Sequence, residues 1–270
     1  KAFEQIPFIV SFSSYFNDTA AHADLILPNH NYLERWEDVP SPAGLARPVF
    51  GLAKPAISPQ FDTRYAADTV MTIAKELGGA VSDAFPWKDY PSLLKQTLGG
   101  NWSALKKSGY TEQRPERPGR FAFYSKFQEP IELQGSSYVY PLTMIPVELI
   151  RLADRTVGNP PFCTKSLEET ELKGGDLFVQ VNPKTCFDYG LADGKHALLE
   201  TPKGKAKVLV HASEGIMPGV VGIPKGLGHT GYDDYLAGKG VNANMFLGVV
   251  DDPISGLPAT WGIRARMVSV

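Results

Sequence analysis

Three loops in the second half of the chain carry the residue types that hold polar ligands. The stretch "ADRTVGNPPF" sets Arg155, Thr156 and Asn159 beside Gly158 and a double proline. "GLGHTGYDDY" places His229 between glycines, and "GVNANMFLGVVDDPISGLPA" spaces Asn242 and Asn244 ahead of a stiff "DPISG" turn. Glycine lets backbone N–H groups approach a ligand closely. Amides and hydroxyls supply donors and acceptors without adding charge. Together these loops suit a large, polar, heterocyclic ligand that carries phosphates; turn chemistry alone is the competing reading. A fourth stretch, "NDTAAHADLILPNHNYLERWED" from Asn17 to Asp38, runs a capped turn into an apolar strand that stops at Pro-Asn-His. It reads as a strand end bordering a site or as ordinary punctuation.

Chemistry of the usual enzymatic kinds is absent. The sequence has no GxSxG, HExxH or P-loop, and its five histidines (22, 30, 196, 211 and 229) show no metal-ligand spacing. His196 and His211 sit in strand-like text and read as structural or exposed. Glu34, Glu37 and Asp38 read as a solvated acidic loop. Cys163 and Cys186 are the only cysteines. They cannot furnish a four-thiolate iron–sulfur or structural zinc site, and both read as buried thiols. No catalytic residue and no metal ligand is assigned.

The 270 residues suffice for two domains, and 43% hydrophobic against 21% charged content predicts a buried core. A net charge of −2 gives no electrostatic reason for nucleic acid as a partner. No apolar run approaches the roughly 20 residues of a membrane span. The opening "KAFEQIPF" has neither an initiator Met nor a signal-peptide pattern. The chain is therefore expected to be the C-terminal part of a longer polypeptide.

These loops need elements to position them. "PFIVSFSSY" and "ADLILP" read as apolar strands around a turn with Asn17, Asp18 and Thr19 as candidate caps. The segment from Leu33 to Asp62 holds five prolines and reads as an extended loop with one short strand near Val49. Asp62 is expected to cap a helix through Leu77, with Ala66, Val70, Ile73, Ala74 and Leu77 as its apolar stripe. "PSLLKQTLGG" and "NWSALKKSG" read as short helices stopped by glycine, and "TEQRPERPGR" as a linker. From Tyr138 the text turns to short strands: "YVYPLTMI", "DLFVQV", a hairpin over Lys195–His211 and "GVVGIP". "NPKTCFDYG" adds a helical turn with Asn182 as cap and Pro183 at its first position. Short strands of this kind suggest a small closed barrel.

In order along the chain, four stretches resemble the molybdopterin oxidoreductases of the DMSO reductase family. "NDTAAHADLILPNHNYLERWED" is similar to their "ET…ADxVLP…LE" signature. "GDLFVQVNPKTCFDYGLADG" is similar to the start of their C-terminal barrel. "SEGIMPGVVGIPKGLGH" and "GVNANMFLGVVDDPISGLPATWGIRARMVSV" are similar to its end. "YLERWEDVP" resembles the branch with polysulfide and thiosulfate reductases, alternative complex III and the menaquinone reductase complex.

The resemblance implies an α/β plus β-barrel architecture. Residues 1–135 would be the end of an α/β dinucleotide-binding domain, and residues 136–270 a double-psi β-barrel. It implies a bis-molybdopterin guanine dinucleotide with Mo or W, contacted by Thr19, Arg155, Thr156, Asn159, His229, Asn242 and Asn244. The metal ligand and iron–sulfur cysteines would lie upstream. Implied partners are the upstream part of the same subunit, an iron–sulfur subunit, an integral membrane quinone-binding subunit and a multihaem cytochrome c. The implied place is the periplasmic face of the cytoplasmic membrane. A cofactor-free scaffold that docks electron carriers is the alternative from another class. A free-standing sugar- or nucleotide-binding protein is a third. The Pro-rich loop Glu34–Pro59 is expected to be a partner surface.

Overall fold

The computed structural model describes residues 3–41, 45, 47–112, 132–152, 161–252, 255–259 and 262–270. Two compact units divide the chain, Lys1–Ala122 and Phe123–Val270. The Pro-rich linker after Glu112 lies outside the described residues, and Gln134 already bridges to Ile263 of the second unit.

In the first unit, strands β1 (Val10–Ser11) and β2 (Leu25–Ile26) pair in parallel. The 3-10 turn Ala20–His22 connects them. Asn17 caps that turn, its Oδ1 accepting the Ala20 N–H at 2.8 Å, whereas Thr19 makes no cap bond. The following segment is less loose than its prolines suggest. Strands β3 (Glu37–Val39) and β4 (Val49–Ala53) form an antiparallel sheet with β5 (Tyr110–Glu112).

Helices α1 (Ala66–Leu77), α2 (Gly79–Ala84), α3 (Tyr90–Leu98) and α4 (Trp102–Ser108) lie between β4 and β5. Gly99 and Gly109 end the last two, as expected. Leu52 of β4 is buried with Leu94 of α3 and Leu105 of α4, and Trp36, Phe50 and Trp102 pack around them. Of the large apolar residues of the Pro-rich segment, Leu52, Trp36 and Phe50 therefore help to build a core, while Leu45 is 49% exposed. The segment reads as a loop in the sequence because the sheet partner β5 lies about 60 residues downstream, beyond the reach of local pattern.

Two expectations for α1 need correction. Its first N–H is capped by Asn29 Oδ1 at 2.9 Å from Ala66 N, and not by Asp62. Its buried residues are Met71 and Ala74, while Val70, Ile73 and Leu77 of the predicted stripe are exposed. Periodicity finds an apolar face but not what covers it.

The second unit is a closed six-stranded barrel. Its strands are β6 (Leu142–Val147), β8 (Asp176–Val181), β9 (His196–Thr201), β10 (Gly204–Ala212), β11 (Val220–Pro224) and β14 (Ile263–Ser269). The order around the barrel is β10-β9-β14-β6-β11-β8, and β8 closes on β10 in parallel. The β6–β11 pair is also parallel, and the remaining pairs are antiparallel. Strand β7 (Leu172–Lys173) is a hairpin partner of β8, and β12 (Val250–Asp251) pairs with β13 (Pro258–Ala259) outside the barrel.

Alternation sets the barrel core. Leu177, Val179 and Val181 of β8 point inward at 0% exposure, opposite Val208 and Val210 of β10. Fully burying each such side chain contributes about 1.5–3 kcal/mol. Gly222 in β11 is the small residue this closure needs. A Cβ there would meet Val147 Cγ2 at 2.7 Å and Ile216 Cδ1 at 3.0 Å. Helix α5 (Pro161–Lys165) precedes β7. Helix α6 (Pro183–Asp188) follows β8, with Asn182 Oδ1 accepting the Lys184 N–H at 2.9 Å. Burial raises the Cys186 thiol above its usual range, which keeps it neutral, as expected of a core thiol.

Candidate functional site

Two polar regions hold the sequence-predicted residues, one in each unit. In the first unit, a cavity of about 540 Å³ opens where β1 and β2 end. That volume is within the range of small-molecule sites, about 300–1,000 Å³. Ser14 and Tyr15 follow β1, and Pro28, Asn29 and Asn31 follow β2. Ligands bind at the carboxyl ends of parallel strands because the chain reverses there and leaves a crevice. The Pro-Asn-His stop after "ADLIL" is thus the rim of a cleft.

The cleft is held open by side chains that stitch separate segments together. Ser14 Oγ donates to the Asn29 carbonyl at 2.7 Å, which joins the two strand ends. Glu34 is 8% exposed and accepts from Asn31 N at 2.8 Å and from Gln60 N at 2.9 Å. The hydrogen bond from the Asn31 backbone, then that from Gln60, hold its carboxyl below the usual carboxylate range against desolvation. Arg64 N donates to the Pro28 carbonyl at 3.0 Å, and His30 Nε2 lies 3.1 Å from the Thr63 carbonyl. Tyr15, Leu33, Ile57 and Phe61 supply apolar walls and are each at least 41% exposed. A cleft with apolar rings, amides and backbone edges can hold a planar heterocycle by stacking and by hydrogen bonds to its rim.

Behind the cleft, Tyr65 and Tyr90 meet edge to face at 5.2 Å, and the Arg35 guanidinium lies 5.5 Å from the Tyr65 ring centroid. Tyr90 donates to Asp38. Burial, and next the bond to Asp38, push the Tyr90 phenol well above its ordinary value, and burial does the same for Tyr65. Asp38 and Glu37 belong to this network, with Glu37 paired to Arg35 at 3.1 Å, so the acidic cluster is not a freely solvated loop.

In the second unit, the loops around His229 and Asn242 come together. Gly228 N donates to Lys239 O at 2.7 Å, and Gly238 N donates to His229 O at 2.9 Å. Gly228 has φ +77, and a Cβ there would fall 2.0 Å from Asn242 N. Only glycine permits that approach. The His229 ring stands edge-on to Tyr232 at 5.1 Å, and its Nε2 is buried. Tyr232 has φ 79, an uncommon conformation that persists only where the surroundings impose it.

Asn242 caps the 3-10 turn Ala243–Met245, its Oδ1 accepting from Asn244 N at 3.0 Å. The Asn244 side chain is exposed. Arg155, Thr156 and Asn159 lie outside the described residues. Thr19 belongs to the first unit, in the turn between β1 and β2. His229, Asn242 and Asn244 thus share one loop cluster, whereas Thr19, in the turn between β1 and β2 of the first unit, is not among the residues that line the cleft. Local sequence pattern gives no site role to the cleft residues Ser14, Tyr15, Asn31, Glu34, Gln60 and Phe61. The first four were findable, since each follows one of two apolar strands. Gln60 and Phe61 were not, because tertiary folding alone brings their loop back.

Comparison with known proteins fits this architecture. Residues 163–262 match the family described as Molydopterin dinucleotide binding domain. The chain is 31% identical over 257 residues to the menaquinone reductase, molybdopterin-binding-like subunit of Nitratidesulfovibrio vulgaris. That alignment covers 95% of this chain and 37% of the relative. It is 25% identical to the thiosulfate reductase molybdopterin-containing subunit of Salmonella typhimurium, over 95% of this chain and 39% of that one. The fold matches acetylene hydratase from Pelobacter acetylenicus with a TM-score of 0.73 at 20% identity, over 99% of this chain and 41% of that one. The chain spans well under half the length of the relatives it matches. With four of the six strands of a closed mixed barrel inside the matched residues, and 31% identity to a relative over 95% of this chain, the chain belongs to the molybdopterin oxidoreductase family, as its C-terminal portion.

Proposed function

We propose that this chain is part of a molybdopterin-family subunit in a membrane-associated, quinone-linked electron-transfer complex. The observation that carries this reading is the 31% identity, over nearly the whole chain, to a subunit named for menaquinone reductase. In the proposed arrangement the upstream part of the same subunit completes the α/β domain. Support comes from the exposed apolar faces of the first unit: Val10 and Leu25 of the two-stranded sheet, and Val70, Ile73 and Leu77 of α1. Two parallel strands make a poor sheet alone. An iron–sulfur subunit, an integral quinone-binding subunit and a multihaem cytochrome c are the proposed partners, and the periplasmic face of the cytoplasmic membrane is the proposed location. Among the described residues no helix is long and apolar enough to cross a membrane.

The residues present fit a dinucleotide-type pterin cofactor. The Thr19 hydroxyl makes no cap bond, the Asn244 side chain is exposed, and the Gly228 approach sets backbone N–H groups at a turn no larger residue could form. In the second unit His229, Asn242 and Asn244 are proposed contacts to the group, with Arg155, Thr156 and Asn159; in the first unit Thr19 is proposed as a contact by itself. When bound, such a group supplies the redox-active metal, and this chain orients it and excludes water.

A second reading has one observation in its favour: the menaquinone reductase relative is described as molybdopterin-binding-like. Under it the same barrel is a cofactor-free scaffold that docks electron carriers. Metal analysis of the purified complex, with acid release of GMP, separates the two. Stoichiometric GMP and Mo or W support the cofactor reading; their absence from a correctly assembled complex overturns it.

A further inference from the structure

Phe178, Leu209 and His196 lie side by side on the outer face of the barrel. Leu209 of β10 is in parallel register with Phe178 of β8 and in antiparallel register with His196 of β9. Their strand neighbours Val179, Val210 and Ala197 point inward at 0% exposure, which fixes the opposite face for these three. The row floors an open groove of about 670 Å³. Lys173, Lys195 and Lys207 line it, and all three are exposed. Among the described residues, none of these lysines makes an ion pair. Asp176, the acidic side chain of the groove, faces His196 Nε2 at 3.6 Å.

We propose that this groove docks an extended acidic segment of a partner protein. The three lysines belong to different segments, Lys173 on β7, Lys195 just before β9 and Lys207 on β10, so the positive charge is shared among three strands that border the groove. A compact anion would reach one or two of them. An extended acidic chain can meet all three, over a floor in which Phe178 and Leu209 are themselves buried at 6% exposure. Lysine favours such a contact, as a flexible, hydrated point charge that pairs with carboxylates without demanding bidentate geometry. Complementary charge of this kind mainly speeds encounter and excludes wrong partners. The barrel and its outer face exist whether or not a pterin is bound, so the inference does not depend on the cofactor reading.

The test uses the full polypeptide and fluorescence anisotropy of a labelled peptide of Glu and Asp with one central Phe. Saturable binding should weaken about tenfold or more when salt rises from about 0.05 to about 0.3 M, as screened surface charge requires. The variant K173Q/K195Q/K207Q should bind at least about tenfold more weakly at low salt, while K75Q/K95Q/K107Q, altered in the first unit, should bind like the wild type. The proposal is overturned by any of three results: no saturable binding by the wild type, equal loss in both variants, or full competition by inorganic phosphate at the peptide's own concentration.

Discussion

Glu34 Oε1 accepts the backbone N–H of Gln60 at 2.9 Å, across 26 residues of chain. Its other oxygen accepts Asn31 N at 2.8 Å, so one carboxylate joins both walls of the strand-end cleft. Glutamine at this position keeps one acceptor and turns an NH2 toward a backbone donor. Hydrogen exchange at Asn31 and Gln60 should therefore rise by about tenfold or more in Glu34→Gln, while Leu52 and Met71 keep their protection. Unchanged exchange at both amides would remove the brace from the account.

The same carboxyl makes the cleft sensitive to acid. Its pKa in the folded protein is depressed, so its stabilisation is present above the unfolded value, about 4.3, and is lost as pH falls through the folded one. Exchange at Gln60, corrected for intrinsic rate, should accelerate below about pH 4 in the wild type. In Glu34→Gln that added acceleration should disappear.

Asn17 and Thr19 have different jobs although only Asp18 separates them. Asn17→Ala removes the cap on the Ala20–His22 turn and should cost about 1 kcal/mol in thermal or denaturant unfolding. Thr19→Ala removes no cap bond and should leave stability within about 0.5 kcal/mol. If the cofactor reading holds, Thr19→Ala should instead lower pterin content after purification.

Gly228→Ala should be one of the costliest small substitutions in the barrel unit. The added Cβ meets the backbone at Asn242 and the residue must keep φ +77, so a loss of about 2 kcal/mol or more is expected. Gly190→Ala is the control: its φ is +63, but nothing lies within 4 Å of the new Cβ, and about 1 kcal/mol should be lost. Equal effects at the two sites would show that the Gly228–Asn242 contact is not tight.

Asn244→Leu separates the two functional readings. The side chain is exposed, so the chain's own stability should change by less than about 0.5 kcal/mol. Under the cofactor reading a buried hydrogen bond to the pterin would be lost, and retention should fall by about 1–3 kcal/mol, read as GMP content after dialysis. Under the scaffold reading, assembly and stability should both match the wild type.

Local chemistry made several elements legible in the sequence alone. Asn182-Pro183 starts α6 because the amide caps and proline pre-sets the first helical φ. Gly99 and Gly109 stop α3 and α4, and "TPKG" turns β9 into β10, because those outcomes depend on neighbours in the chain. The apolar run in "DLFVQV" marks a strand, and the structure turns its Leu177, Val179 and Val181 inward. The order of four family-like stretches pointed to a barrel after an α/β segment, and the barrel is there.

Tertiary structure decided what pairs across long separations. Asn29, not Asp62, caps α1, because the donor at Ala66 lies next to β2 in space and 37 residues from it in sequence. The Pro-rich segment became a sheet because β5 returns to pair with β4. Glu34 became a brace because Gln60 comes back to it, and His229 met the Asn242 loop because Gly228, without a Cβ, lets the two backbones come into contact. Sequence carries propensity and period over a few residues. Which donor meets which acceptor is fixed only when burial has folded distant segments onto one another.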